Sequence, residues 1–142
     1  MCAGSGFLLA VLWFDLMFDV QARRTPVTPE TVRSIGTYYR RVTTDAAPMN
    51  VLVATAMLVT MVALVVEIVI GPRAAGIACL PLVALAVGLA TTRTVPTAVR
   101  IGQTEDHADP GVAVACRTVL RDHQMCFVLI LTVLVIQLVS AA

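Results

Sequence analysis

The chain predicts an all-α, polytopic membrane protein: four transmembrane helices in one bundle, forming a single domain over residues 1–142. Two observations carry that prediction. Hydrophobic residues make up 58% of the sequence and charged residues only 13%, a balance unlike that of a soluble domain. Four apolar stretches, at about 3–21, 49–70, 74–95 and 125–140, take up more than half the length. A hydrocarbon core of about 30 Å needs roughly 20 helical residues. The stretches show no period-two polar alternation, so helices are preferred over a barrel.

The first span lacks a basic lead-in, and Arg23-Arg24 follow it. That order suits a reversed anchor rather than a cleavable signal peptide. Cys2 has no preceding apolar run, so lipidation is not expected. In the connection 22–48, Thr28-Pro29-Glu30 reads as a helix start: a hydroxyl cap, Pro at the first position, an acid in the first turn. Val32, Ile35, Tyr39 and Val42 then recur at helical spacing, with Arg33, Arg40 and Arg41 on other sides. This is an amphipathic helix with a basic face, suited to a membrane surface. Pro48 opens the second span, whose one charge, Glu67, lies near its far end.

The third span has no charge from Ala74 to Thr92 and ends at Arg93. Gly76 and Gly88 allow close helix contact, and Pro81 is a candidate kink. In the connection 96–124, Asp109-Pro110 gives a second helix start. Val112, Ala115, Cys116, Val119 and Leu120 form its apolar side, and Val119–Met125 can lengthen the short fourth span. Gln137 in that span is expected to bond across helices. The four cysteines form no paired motif; Cys79 and Cys126 read as small buried hydrophobes.

All ten basic residues are Arg. Arg23, Arg24, Arg33, Arg40 and Arg41 lie in the first long connection, and Arg93, Arg100, Arg117 and Arg121 in or beside the other; only Arg73 stands in the short link between spans two and three. This asymmetry places both long connections in the cytoplasm and both termini outside. Arginine without lysine points to a GC-rich bacterial genome, hence a bacterial inner membrane. Arg23, Arg40 and Asp45 each have a counterpart 77 residues on, at Arg100, Arg117 and Asp122. The offset fits a 2+2 internal repeat; it also fits the placement of Arg near span ends in any such protein.

Asp15 and Asp19, at i and i+4, share one helix face that Arg23 continues. A charge at the bilayer centre costs about 2.5–3.5 kcal/mol on insertion scales, so this face should point into the bundle or a polar inlet. One reading is a carboxylate pair that binds a proton, a metal or a substrate group, with Asp15 the stronger candidate. The other is an Asp19–Arg23 pair at the boundary, with Asp15 satisfied by Arg93 or a neighbouring hydroxyl. His123, where span four begins, can reach the same region, as a cap or as an acid/base group. Asp15, Asp19, Arg93 and His123 are thus the candidate catalytic residues. Glu105-Asp106-His107 with Asp109 reads as a solvated acidic loop, and Tyr38 and Tyr39 as part of an interfacial aromatic belt. No phosphate-binding loop, metalloprotease motif or nucleophile elbow is present. No cofactor, metal or nucleic acid is expected.

Tyr39-Arg40-Arg41 leading through Ala47-Pro48-Met49, the Val95-Pro96…Arg100 exit and Leu120-Arg121-Asp122-His123 resemble segments of the anthrone oxygenase-like family of small bacterial four-helix membrane proteins. The resemblance covers most of the chain as architecture. It implies a four-helix fold and, from the fungal members, oxidation of polyketide anthrones without a recognised cofactor. A His-Pro pair that such proteins show at the end of span one is replaced here by Phe18-Asp19-Val20-Gln21. The expected function is binding of, or action on, a lipophilic small molecule in a polar pocket near the cytoplasmic face. Asp15 would be the acid/base, with Arg93 or His123 orienting the ligand. The rival readings are a small proton-coupled transporter acting as a homo-oligomer and an accessory subunit of a larger membrane complex.

Overall fold

The computed structural model describes residues 2–45, 47–71 and 74–141, the side chains of 47–50 excepted. Arg73, counted above toward the outer face, lies outside them. Among the described residues, six α-helices run in order: α1 Cys2–Asp19, α2 Pro29–Arg40, α3 Ala47–Ile70, α4 Ala74–Leu89, α5 Val95–Gln103 and α6 Pro110–Ala141. A 3₁₀ turn, Val20–Arg23, extends α1. π-helical turns at Arg41–Asp45 and Ala90–Thr94 follow α2 and α4. No strand occurs among the described residues. Among the described residues, four helical runs are long and apolar enough to cross a membrane: Cys2–Arg23, Val51–Ile70, Ala74–Gln103 and Pro110–Ala141. The chain is a multi-pass membrane protein.

The helix starts follow their local chemistry. The Thr28 hydroxyl accepts from the Thr31 amide at 3.3 Å, Pro29 takes the first position and Glu30 the first turn. Asp109 Oδ1 accepts from the Gly111 amide at 2.7 Å ahead of α6. Much of the segment 96–124 is helical rather than loop. Span three continues through its π turn into α5, and span four begins at Pro110, well before residue 125. Pro96 does not break this run: it stands in the first turn of α5, where its missing N–H costs least, and the π turn precedes it.

Around the bundle, α1 packs on α6, α6 on α4, α4 on α3 and α3 on α1, while α2 packs on α5. The core has three storeys. At the arginine-bearing end, Val32, Ile35 and Tyr39 of α2 meet Ala98 and Ile101 of α5 and Val112, Ala115, Cys116, Val119 and Leu120 of α6. The helical spacing selects the α2 and α6 members of this set; it does not select Ala98 and Ile101, and Val42, which it also selects, lies half-buried in the π turn beyond α2. In the middle, Leu8, Ala86, Cys126 and Ile130 come together. At the far end, Leu64, Cys79, Val83 and Val133 do so, and Gln137 Nε2 of α6 donates to Cys79 Sγ of α4 at 3.7 Å.

One close approach sets the geometry of the arginine-bearing end. A Cβ on Gly102 would stand 2.7 Å from the Arg40 nitrogen and 3.1 Å from the Tyr39 carbonyl carbon. A Cβ on Gly36 would stand 3.2 Å from the Ile101 oxygen. The backbones of α2 and α5 therefore touch where each lacks a side chain, as small residues allow between packed helices. This contact holds α2 against the bundle beside Tyr39.

Candidate functional site

Four elements bring polar groups together at the arginine-bearing end. Helix α1 supplies Asp15 and Asp19, one turn apart on its inward face. Asp19 is fully buried, and the Asp15 side chain is 13% exposed. Helix α2 supplies Tyr38 and Tyr39, α6 supplies Asp122 and His123, and the π turn after α4 supplies Arg93.

Asp19 is held from two sides. The Tyr39 hydroxyl donates to Oδ1 at 2.7 Å, and His123 Nδ1 lies 2.6 Å from Oδ2. A carboxylate buried away from water needs such donors. The hydrogen-bond pattern assigns the Nδ1 proton to His123, which donates it to Asp19. That leaves Nε2 turned toward Asp15, 3.8 Å from its Oδ2. The other Asp15 oxygen accepts from the Tyr38 hydroxyl at 2.7 Å. One imidazole thus stands between two carboxylates, and each carboxylate has its own tyrosine.

The tyrosines work as donors. Burial, reinforced by the Asp15 carboxylate, pushes the Tyr38 phenol well above its ordinary range. Burial and the charge of Asp19 do the same to Tyr39. Both hydroxyls keep their protons. The Tyr38 ring stacks on Phe18, with centroids 4.0 Å apart and planes 10° from parallel.

Beside this network, Arg93 Nε approaches Asp122 Oδ2 at 3.0 Å. The guanidinium side is half exposed, the Asp122 side chain 1% exposed, and the approach is not aligned as a hydrogen bond. Arg93 therefore offsets the charge of the residue next to His123.

Asp15, Asp19 and His123 converge, as the sequence suggested. Arg93 joins them only through Asp122, and among the described residues no ion pair links it to Asp15 or Asp19. Nor does one link Asp19 to Arg23. Asp15 is satisfied by a neighbouring hydroxyl, one of the alternatives left open above. Tyr38 and Tyr39 are more than a belt: Tyr39 is buried and both bond the carboxylates. In the sequence Asp122 stood out as the repeat counterpart of Asp45 and as the neighbour of His123. Interfacial position marked Tyr38 and Tyr39, and the apolar period marked Tyr39, but neither signal names the carboxylate that each one meets. Glu105, Asp106 and Asp109 are exposed, with His107 Nδ1 2.8 Å from the Glu105 carbonyl, away from the network.

Comparison with protein-family models, with curated proteins and with solved structures finds no match to this chain.

The arrangement can hold and exchange protons. A ring nitrogen facing each carboxylate lets a proton taken up at Asp15 be matched by one shared with Asp19, with the tyrosines fixing both oxygens in place.

Proposed function

We propose that this protein binds, and performs acid–base chemistry on, a lipophilic small molecule that reaches Asp15 from the bilayer at the arginine-bearing end, on the cytoplasmic side. The observation that carries this reading is His123 held between Asp15 and Asp19, with Asp19 fully buried and Asp15, its side chain 13% exposed, the more accessible of the two carboxylates. Ionisable groups at such depth are costly, and they mark substrate or proton paths more often than anchors. In this mechanism Asp15 exchanges a proton with the ligand, and His123, oriented by Asp19, adjusts its own proton in step. Asp19 and Tyr39 are positioning residues. Arg93 keeps Asp122 neutralised beside the ring.

The test is extraction of detergent-purified protein with organic solvent, followed by mass spectrometry. Wild type should release a lipophilic compound that Asp15→Asn protein, inserted and folded to the same level, loses at least about tenfold, the equivalent of about 1.4 kcal/mol. Equal recovery from both would overturn the reading. The family resemblance supplies one direct probe, an anthrone. With O₂ it would give the anthraquinone and water, the ring CH₂ losing both hydrogens and gaining one oxygen.

The same chain of proton-exchanging groups favours a second reading, proton-coupled transport. Four helices cannot enclose a wide pathway alone, so this requires an oligomer. Flux into proteoliposomes that needs both a pH gradient and Asp15 would select it over catalysis.

A further inference from the structure

We infer that the outer face of α2 carries a docking groove for the phosphate headgroup of an anionic glycerophospholipid. The groove, about 450 Å³ in volume, is lined by Phe18 of α1 and by Glu30, Arg33, Thr37, Tyr38 and Arg41. Its features are independent of the proton-exchanging network, with which it shares only the Tyr38 ring.

Charge comes first. Arg33, Thr37 and Arg41 follow one another at intervals of four, so they form one stripe with the hydroxyl between the two cations. Among the described residues no carboxylate lies within ion-pair distance of either arginine. Glu30 stands at the amino end of the groove. Its own backbone amide, with help from the Thr28 hydroxyl, holds its carboxyl below the usual range, so it is a fixed negative charge. Two arginines and one glutamate leave one positive charge, which matches one phosphodiester. Arginine is the residue best suited to phosphate oxygens, through its planar fork of donors.

The apolar part argues for a lipid rather than a free anion. The stacked Phe18 and Tyr38 rings form a flat aromatic wall beside the cations. Phe14 lies one turn from Phe18 on the same face of α1, and both it and Met17 are exposed. An acyl chain leaving the groove thus has a continuous apolar track along α1 into the bilayer. The groove lies where the basic connection meets the apolar span, the level at which phosphates of a leaflet sit.

Native mass spectrometry of the detergent-solubilised protein tests this. The probes are a phosphatidylglycerol, a diacylglycerol with the same chains, and inorganic phosphate as competitor. Wild type should retain the phosphatidylglycerol, retain the diacylglycerol far less, and lose nothing to phosphate. Replacing both arginines, Arg33→Gln with Arg41→Gln, should cut retention about tenfold or more. Arg100→Gln, at an exposed arginine outside the groove, should leave it unchanged. Equal retention of the diacylglycerol would reduce the site to an apolar surface. Displacement by inorganic phosphate would make it a free-anion site. Undiminished retention by the double variant would remove the arginines. Any of the three overturns the inference, and the first two are read on wild type, whose folding is not in question.

Discussion

At the scale of single residues, Asp19 is the most constrained group in the molecule. It has no contact with water, and its two oxygens are taken by Tyr39 and His123. Removing one donor leaves a buried acceptor unsatisfied, which costs more than the bond itself is worth. Tyr39→Phe should therefore lower stability by about 1–2 kcal/mol. Tyr38→Phe, which frees an oxygen of the less buried Asp15, should lower it by about half as much. Denaturation in mixed micelles would order the two, and a larger loss for Tyr38→Phe would contradict the burial difference. The carboxylate pair was legible in the sequence because i and i+4 share a helix face whatever the fold. Its partners were not. Tyr38 and Tyr39 stand on a different helix, and the hydropathy that places them near an interface is silent about which carboxylate they meet.

At the scale of elements, the decisive contact is between α2 and α5. Their backbones meet at Gly36 and Gly102, and Tyr39 reaches Asp19 from the same turn of α2. A methyl group at Gly102 would press on backbone atoms of Tyr39 and Arg40, which cannot swing aside as a side chain can. Gly102→Ala is expected to destabilise by about 1–3 kcal/mol through overpacking, despite alanine's better helix propensity. Gly6→Ala, where nothing lies within 4 Å, should be neutral or mildly stabilising. Thermal unfolding of the two variants in one detergent checks the contrast. Most helices were readable: the Thr28 cap, the Asp109-Pro110 start and the two apolar stripes, Val42 excepted, stand where spacing put them, while α5 fell in a segment read as a connection. The glycine crossing was not, because a glycine in a helical stretch looks the same whether it faces a neighbouring backbone or open space.

At the scale of the whole molecule, four spans place both ends of the described chain on one face and the segment 104–109 on the other. The proposed orientation puts that segment, with the two arginine-bearing connections, in the cytoplasm. Single cysteines introduced at Ser140 and at Glu105, in protein cleared of its four native cysteines, should therefore label from opposite sides of an intact cell membrane. Only the Ser140 position should react with an impermeant reagent added outside. Labelling of Glu105 instead would invert the molecule and move the proposed site to the outer face. Composition and the unbroken apolar runs determined by themselves that the chain is helical and lives in lipid, where every backbone polar group must be satisfied within its own helix. Capping residues and helical spacing determined the starts and most of the buried faces of α2 and α6 too, since these depend on neighbours three or four residues away. Tertiary structure alone decided the pairings: Asp19 with Tyr39 at a separation of 20 residues, and with His123 at 104. It also turned Arg93 from Asp15 to Asp122. The reason is range. Hydropathy and helical period are properties of a segment, whereas the partner of a buried charge is fixed by how separate segments pack.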